Sequence, residues 1–125
     1  MRFDGLFLML WMLVAVTRIS AQDAAWEKKL DAWREIIHAG EPGRIMDSCA
    51  LAMSALDDPA TMGAVLTVKG AAERVMGMHQ NALLTHRRAL KLRRSTFGEH
   101  SEPVAASLQN IGNCREHFQF VHVML

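Results

Sequence analysis

The chain has no tyrosine, only three prolines and two cysteines, and its formal net charge is +1 over 125 residues. Each shortage excludes something. So small an imbalance gives no global pull on nucleic acid or on an anionic lipid surface. Two cysteines do not make a disulfide framework. Cys49 and Cys114 are expected to be buried free thiols, because an unpaired cysteine packs as a small hydrophobe. Dense Val/Ile/Thr alternation is missing, and so is any low-complexity run. Ala, Leu, Met, Arg, Glu and Lys fill the chain instead, and half of its residues are apolar, which points to an all-α fold.

Chemistry-bearing motifs are missing too. There is no His-Glu-x-x-His, no Gly-x-Ser-x-Gly, no phosphate-binding loop and no dinucleotide fingerprint. The histidines at 38, 79, 86, 100, 117 and 122 show no zinc-ligand spacing with an acid or a cysteine. No catalytic residue, metal site or cofactor is therefore expected. His86 falls at a core position of its segment and is expected as a hydrogen-bonded core histidine.

The chain also lacks an apolar run of the roughly twenty residues that a membrane span needs. What it has is "LFLMLWMLVAV", residues 6–16, after Arg2 and before the small residues Ser20 and Ala21. That order matches a secretory signal peptide over residues 1–21, and it implies export to a periplasmic or extracellular space, or anchorage if uncleaved. Removing it takes away Arg2, Arg18 and Asp4, so fourteen basic and thirteen acidic residues become twelve of each.

Helical periodicity begins at "AAWEKKLDAWREIIHAG", where Trp26, Leu30, Trp33, Ile36 and Ile37 share one face. A helix over 24–39 is expected, stopped by Gly40, and a second over 44–56. Asp58 and Pro59 suit the cap and first position of a third, which runs towards Gly77. A fourth follows over "HQNALLTHRRALKLRRSTF", ended by Gly98. Ser101 and Pro103 repeat the capping chemistry before a fifth, "VAASLQNIGNCREHF".

These segments repeat. A displacement of forty-two residues carries Ala64, Leu66 and Gly70 onto Ala106, Leu108 and Gly112. A fixed offset marks stacked hairpins, each too small to bury its apolar face alone. "GMHQNALLTHRRALKLRRSTFGEHSEPVAASLQNIGNC" resembles the tetratricopeptide repeat in its forty-two-residue, kinesin-light-chain-like form. The matching order is Gly77, Ala82, Ala89-Leu90, Phe97-Gly98, Glu99-His100 and Pro103, with "SLQNIGN" at the Asn-Asn-Leu motif. The resemblance spans about residues 26–117 and implies a short α-solenoid of antiparallel hairpins, about two and a half repeats. It places Ala82, Ala89, Gly70 and Gly112 where one helix presses on the next.

It also implies a non-catalytic protein that shows a concave groove to a peptide or helix. The groove would be lined by Arg34, Ile37 and His38, then Thr67, Ala71 and Arg74, then Gln109, Asn110, Asn113 and Glu116. Asn110 matches the family's groove asparagine, whose amide both donates and accepts. Lys69 and Glu73 depart from the pattern and are expected to pair on an exposed side. The implied domain is 22–117, and the apolar tail 118–125 is expected to self-associate or dock. A rival reading is a structural end-piece of a larger array. Another is a nucleic-acid binder using Arg87, Arg88, Lys91, Arg93 and Arg94, but that stripe lacks aromatic stacking partners and reads first as a solvated outer face.

Overall fold

The computed structural model describes the backbone of residues 3–124 and the side chains of 5–13 and 23–116. It is all-helical: α1 (Phe3–His38), a 3-10 turn (Pro42–Ile45), α2 (Met46–Ala55), α3 (Pro59–Val75), α4 (His79–Phe97) and α5 (Glu102–Met124). Helix α3 packs against α1, α2, the 3-10 turn and α4, and α4 packs against α5. The result is a short repeat-like stack.

Two glycines make the hairpins turn. Gly40 has φ 86° and Gly77 φ 82°, a left-handed conformation that costs glycine little. Around each, two backbone bonds satisfy the last carbonyls of the helix. Glu41 N donates to Ile36 O at 3.1 Å and Gly40 N to Ile37 O at 3.0 Å; Met78 N donates to Glu73 O at 2.8 Å and Gly77 N to Arg74 O at 3.0 Å. Asp58 caps α3 as expected, accepting from Ala60 N, Thr61 N and the Thr61 hydroxyl. The Thr61 hydroxyl, above all, holds its carboxyl below the ordinary range. Ser101 differs from that pattern: its hydroxyl donates back to Gly98 O at 2.8 Å.

Three helix boundaries differ from the sequence reading. The first helix does not begin at residue 24; α1 runs unbroken from Phe3, because nothing between the apolar run and Gly40 interrupts it. The second begins with a 3-10 turn forced by Pro42-Gly43. The fifth continues to Met124, past Phe118, where the sequence reading ends it. The side chains around the expected cleavage point and in the tail 118–125 lie outside the described residues.

The core has two parts. Leu30, Trp33 and Ile37 of α1 meet Ile45, then Cys49 and Ala52 of α2, then Val65, Val68 and Ala72 of α3. Trp26 packs edge-on to Trp33 with centroids 6.4 Å apart, and Lys29 Nζ lies 4.9 Å from the Trp26 ring. The second part joins Leu90 of α4 to Val104 and Ile111 of α5, with Leu83 beside it. Between them, α3 and α4 approach through small residues: Gly70, Ala82 and Ala89 are buried. Both cysteines are free and buried, as expected.

The expected Lys69–Glu73 surface pair is not formed. Glu73 is 3% exposed and accepts a 2.6 Å hydrogen bond from the Thr85 hydroxyl of α4. The α3–α4 contact therefore contains a polar bridge. Gly112 also departs from expectation. A Cβ built on it would meet nothing within 4 Å, whereas one on Gly70 would lie 2.6 Å from His86 Cε1.

Candidate functional site

The residues expected to line a groove fall on three helices. On α1, Arg34 is exposed and pairs with Asp31 at 2.6 Å, and His38 is exposed in the last turn. On α3, Thr67 is half-buried and donates to Gly63 O at 2.9 Å, Ala71 is half-buried against the first core, and Arg74 is exposed in the last turn. On α5, Gln109 and Asn113 are exposed and Asn110 is half-buried. Ile37 belongs to the core instead, at 7% exposure. The positive charge of Arg74 bears on both His86 and Cys114, which ties that end of α3 to α4 and α5.

Two hollows lie away from these residues. One, of about 400 Å³, lies between Trp26 and Leu30 of α1, Ala64 of α3, and Arg93 and Phe97 of α4. Arg93 belongs to the basic cluster that the sequence places on the outer face, yet it turns inward. Its guanidinium donates to Pro103 O at 3.2 Å and to Ser107 Oγ at 2.9 Å, pinning the start of α5 to α4. Burial, then the charge of Arg34, lowers its pKa.

The other hollow, of about 720 Å³, runs between α4 and α5. Leu90, Leu108 and Ile111 form its apolar floor, and Arg87, Lys91 and Arg94 face Arg115 across it. Arg94 is paired with Glu99 at 2.9 Å, while Arg87, Lys91 and Arg115 have no carboxylate partner among the described residues. Charges around a partly apolar groove are less screened than charges on an open face. Sequence reasoning took the α4 stripe as solvated and missed the groove. The signals were present separately: at the forty-two-residue offset Arg115 takes the place of Glu73, and Leu108 that of the buried Leu66.

Among the described residues no three metal-ligating side chains converge, and no helix is long and apolar enough to cross a membrane. No family model, curated protein or solved structure matches the chain significantly.

Proposed function

We propose that the chain is a non-catalytic protein–protein interaction module of tetratricopeptide type, holding a peptide or helix on the face formed by α1, α3 and α5. One observation carries this reading. At the forty-two-residue offset, Val65 and Ser107 are both 0% exposed, and so are Ala72 and Cys114. On this one face α3 and α5 thus bury equivalent positions, and α4 packs against both helices. A stack built by repetition positions side chains from successive helices on rigid supports, which suits display of a binding surface. Arg74, Gln109, Asn110 and Asn113 supply donors and acceptors for a ligand backbone.

Peptides selected from a randomised library on the immobilised full chain test it. Selected peptides should compete for one site and lose at least about tenfold in affinity when Arg74→Ala and Asn110→Ala are combined, as expected for central interface contacts. Peptides indifferent to that double change would reject the reading.

Export belongs to the same proposal. Residues Leu6 to Leu13 of α1 are each 63–71% exposed, an apolar strip that a leader presents to the export machinery. Residues 1–30 fused to a reporter active only outside the cytoplasm should yield activity; a silent, full-length fusion would count against export.

A further inference from the structure

The α3–α4 contact shows how this chain covers one of its own helices. On α3, the face carrying Gly70 and Glu73 is closed by α4. The His86 imidazole fills the space beside Gly70, and Thr85 donates to Glu73 at 2.6 Å. Residue 85 meets 73 and residue 86 meets 70, so the two helices run antiparallel. The forty-two-residue offset carries Leu66, Gly70 and Glu73 onto Leu108, Gly112 and Arg115 of α5. There, among the described residues, the face is bare. Leu108 is 46% exposed where Leu66 is 1%, nothing lies within 4 Å of a Cβ on Gly112, and Arg115 is exposed. Leu108 and Arg115 also border the 720 Å³ groove between α4 and α5.

Two differences between the covered face and the bare one specify what fits. Glu73 has become Arg115, so the group that stands where Thr85 stands must accept hydrogen bonds. Arg87 and Lys91 on the opposite rim, which have no carboxylate partner among the described residues, favour a carboxylate over a neutral acceptor. The space over Gly70 holds a ring, and the matching space over Gly112 is empty, so the visitor's next residue is large. We infer that the α4–α5 groove docks an acidic amphipathic helix of a partner protein. That helix lies on α5 as α4 lies on α3, with one carboxylate on Arg115 and the following, bulky side chain over Gly112. Its apolar side meets Leu90, Leu108 and Ile111. Arg87 and Lys91 follow one stripe about 6 Å long, one helical turn, and match carboxylates spaced by four residues, while Arg94 on the next turn already pairs with Glu99.

Among the described residues the floor has no aromatic ring on which a base could stack, which disfavours a single-stranded nucleic acid. A second copy would bring the same cations to the groove, and like charges oppose each other there. The inference rests on the stacking of α3, α4 and α5, and is separate from the concave-face reading, because none of the residues assigned to that face lines this groove.

The probe is a labelled synthetic peptide of residues 79–97 carrying Thr85→Glu, Arg87→Glu, Lys91→Glu and Arg94→Glu, titrated against the full chain by fluorescence anisotropy. The unmodified 79–97 peptide is the control. The acidic peptide should bind at least about tenfold more tightly than the control, and more weakly as salt rises. Arg115→Glu in the chain should weaken it at least about tenfold, and a peptide with Thr85→Lys in place of Thr85→Glu should recover the loss. Leu108→Asp, also at an exposed position, should weaken it independently, with circular dichroism confirming that both variants keep their helices. Arg44→Ala, in the 3-10 turn and paired with Glu41, should change nothing. Equal binding of the two peptides, or indifference to both Arg115→Glu and Leu108→Asp, overturns the inference. So does a dimer in sedimentation that must dissociate before the peptide binds, which assigns the groove to a second copy. An oligonucleotide that competes with the same Arg115 dependence overturns it in favour of nucleic acid.

Discussion

The Thr85 hydroxyl donates a 2.6 Å hydrogen bond to the Glu73 carboxylate inside the α3–α4 contact, where Glu73 is 3% and Thr85 8% exposed. A carboxylate this buried has little water to turn to if its partner is removed. Thr85→Val should destabilise the chain by about 1–3 kcal/mol, the cost of an unsatisfied buried acceptor. Adding Glu73→Leu should recover part of that loss, since replacing both partners by apolar groups leaves nothing unpaired. A urea double-mutant cycle reads both numbers; additive losses would mean that the two side chains do not interact.

Gly70 and Gly112 occupy equivalent places in the repeat but should respond oppositely to the same change. Gly70→Ala puts a Cβ within 2.6 Å of the His86 ring and should cost about 1–3 kcal/mol through overpacking. Gly112→Ala enters open space inside a helix and should stabilise by about 0.5–1 kcal/mol, the usual gain from removing a helical glycine. Chemical denaturation of the two variants measures the contrast.

His86 makes stability depend on pH. Burial, then the charges of Arg74 and Arg93, pushes its imidazole down from 6.5 to about 4, and its Nδ1 has no hydrogen-bond partner. The unfolded chain therefore takes up a proton between pH 6.5 and 4 that the folded chain excludes. Stability is complete above that window and falls as pH drops through it. At pH 5 the loss attributable to His86 should be about 1–2 kcal/mol. Urea midpoints at pH 7 and pH 5 should show a smaller difference in His86→Gln than in the wild type; identical differences would assign the acid sensitivity elsewhere.

Ala89 is 0% exposed on α4, and its neighbour Arg88 is exposed. Ala89→Trp should overpack the stack by about 1–3 kcal/mol or more, while Arg88→Ala should stay within about 0.5 kcal/mol. Equal effects in denaturation would place the helix contact on another face of α4.

Much of the architecture was legible because local chemistry and the repeat agree. Gly40 and Gly77 mark turns that need positive φ, Asp58-Pro59 starts α3, and α4 runs from His79 to Phe97 as its periodicity requires. The misses share a cause: sequence shows which residues are polar but not which have found a partner inside. Glu73 looked like a surface residue until Thr85 supplied its hydrogen bond, and Arg93 looked like part of a solvated stripe until Pro103 O and Ser107 Oγ drew it in. His86 erred the other way. Its core position was readable, but Nδ1 is left without a partner where a satisfied ring was expected. Gly112 has Gly70's place in the pattern without its neighbour, because burial on α5 is one-sided. The α4–α5 groove was hidden for a related reason: its two rims come from segments more than twenty residues apart, and neither rim alone distinguishes a groove from an outer face.

The two buried thiols give the stack a pair of clocks, one in the first hairpin and one in the last helix. Cys49 lies in the larger core with its pKa raised to about 11 by burial, and burial also raises that of Cys114. Neither reacts readily as a thiol, so each waits for the local opening that exposes it. The rate at which a thiol reagent modifies Cys114 measures the detachment of α5, and the rate at Cys49 measures the opening of α1 and α2 around it. Their ratio gives the direction in which the stack unzips. Cys114, on the helix with one uncovered side, sets the faster clock, and a ligand that covers that side slows it without changing the pace at Cys49.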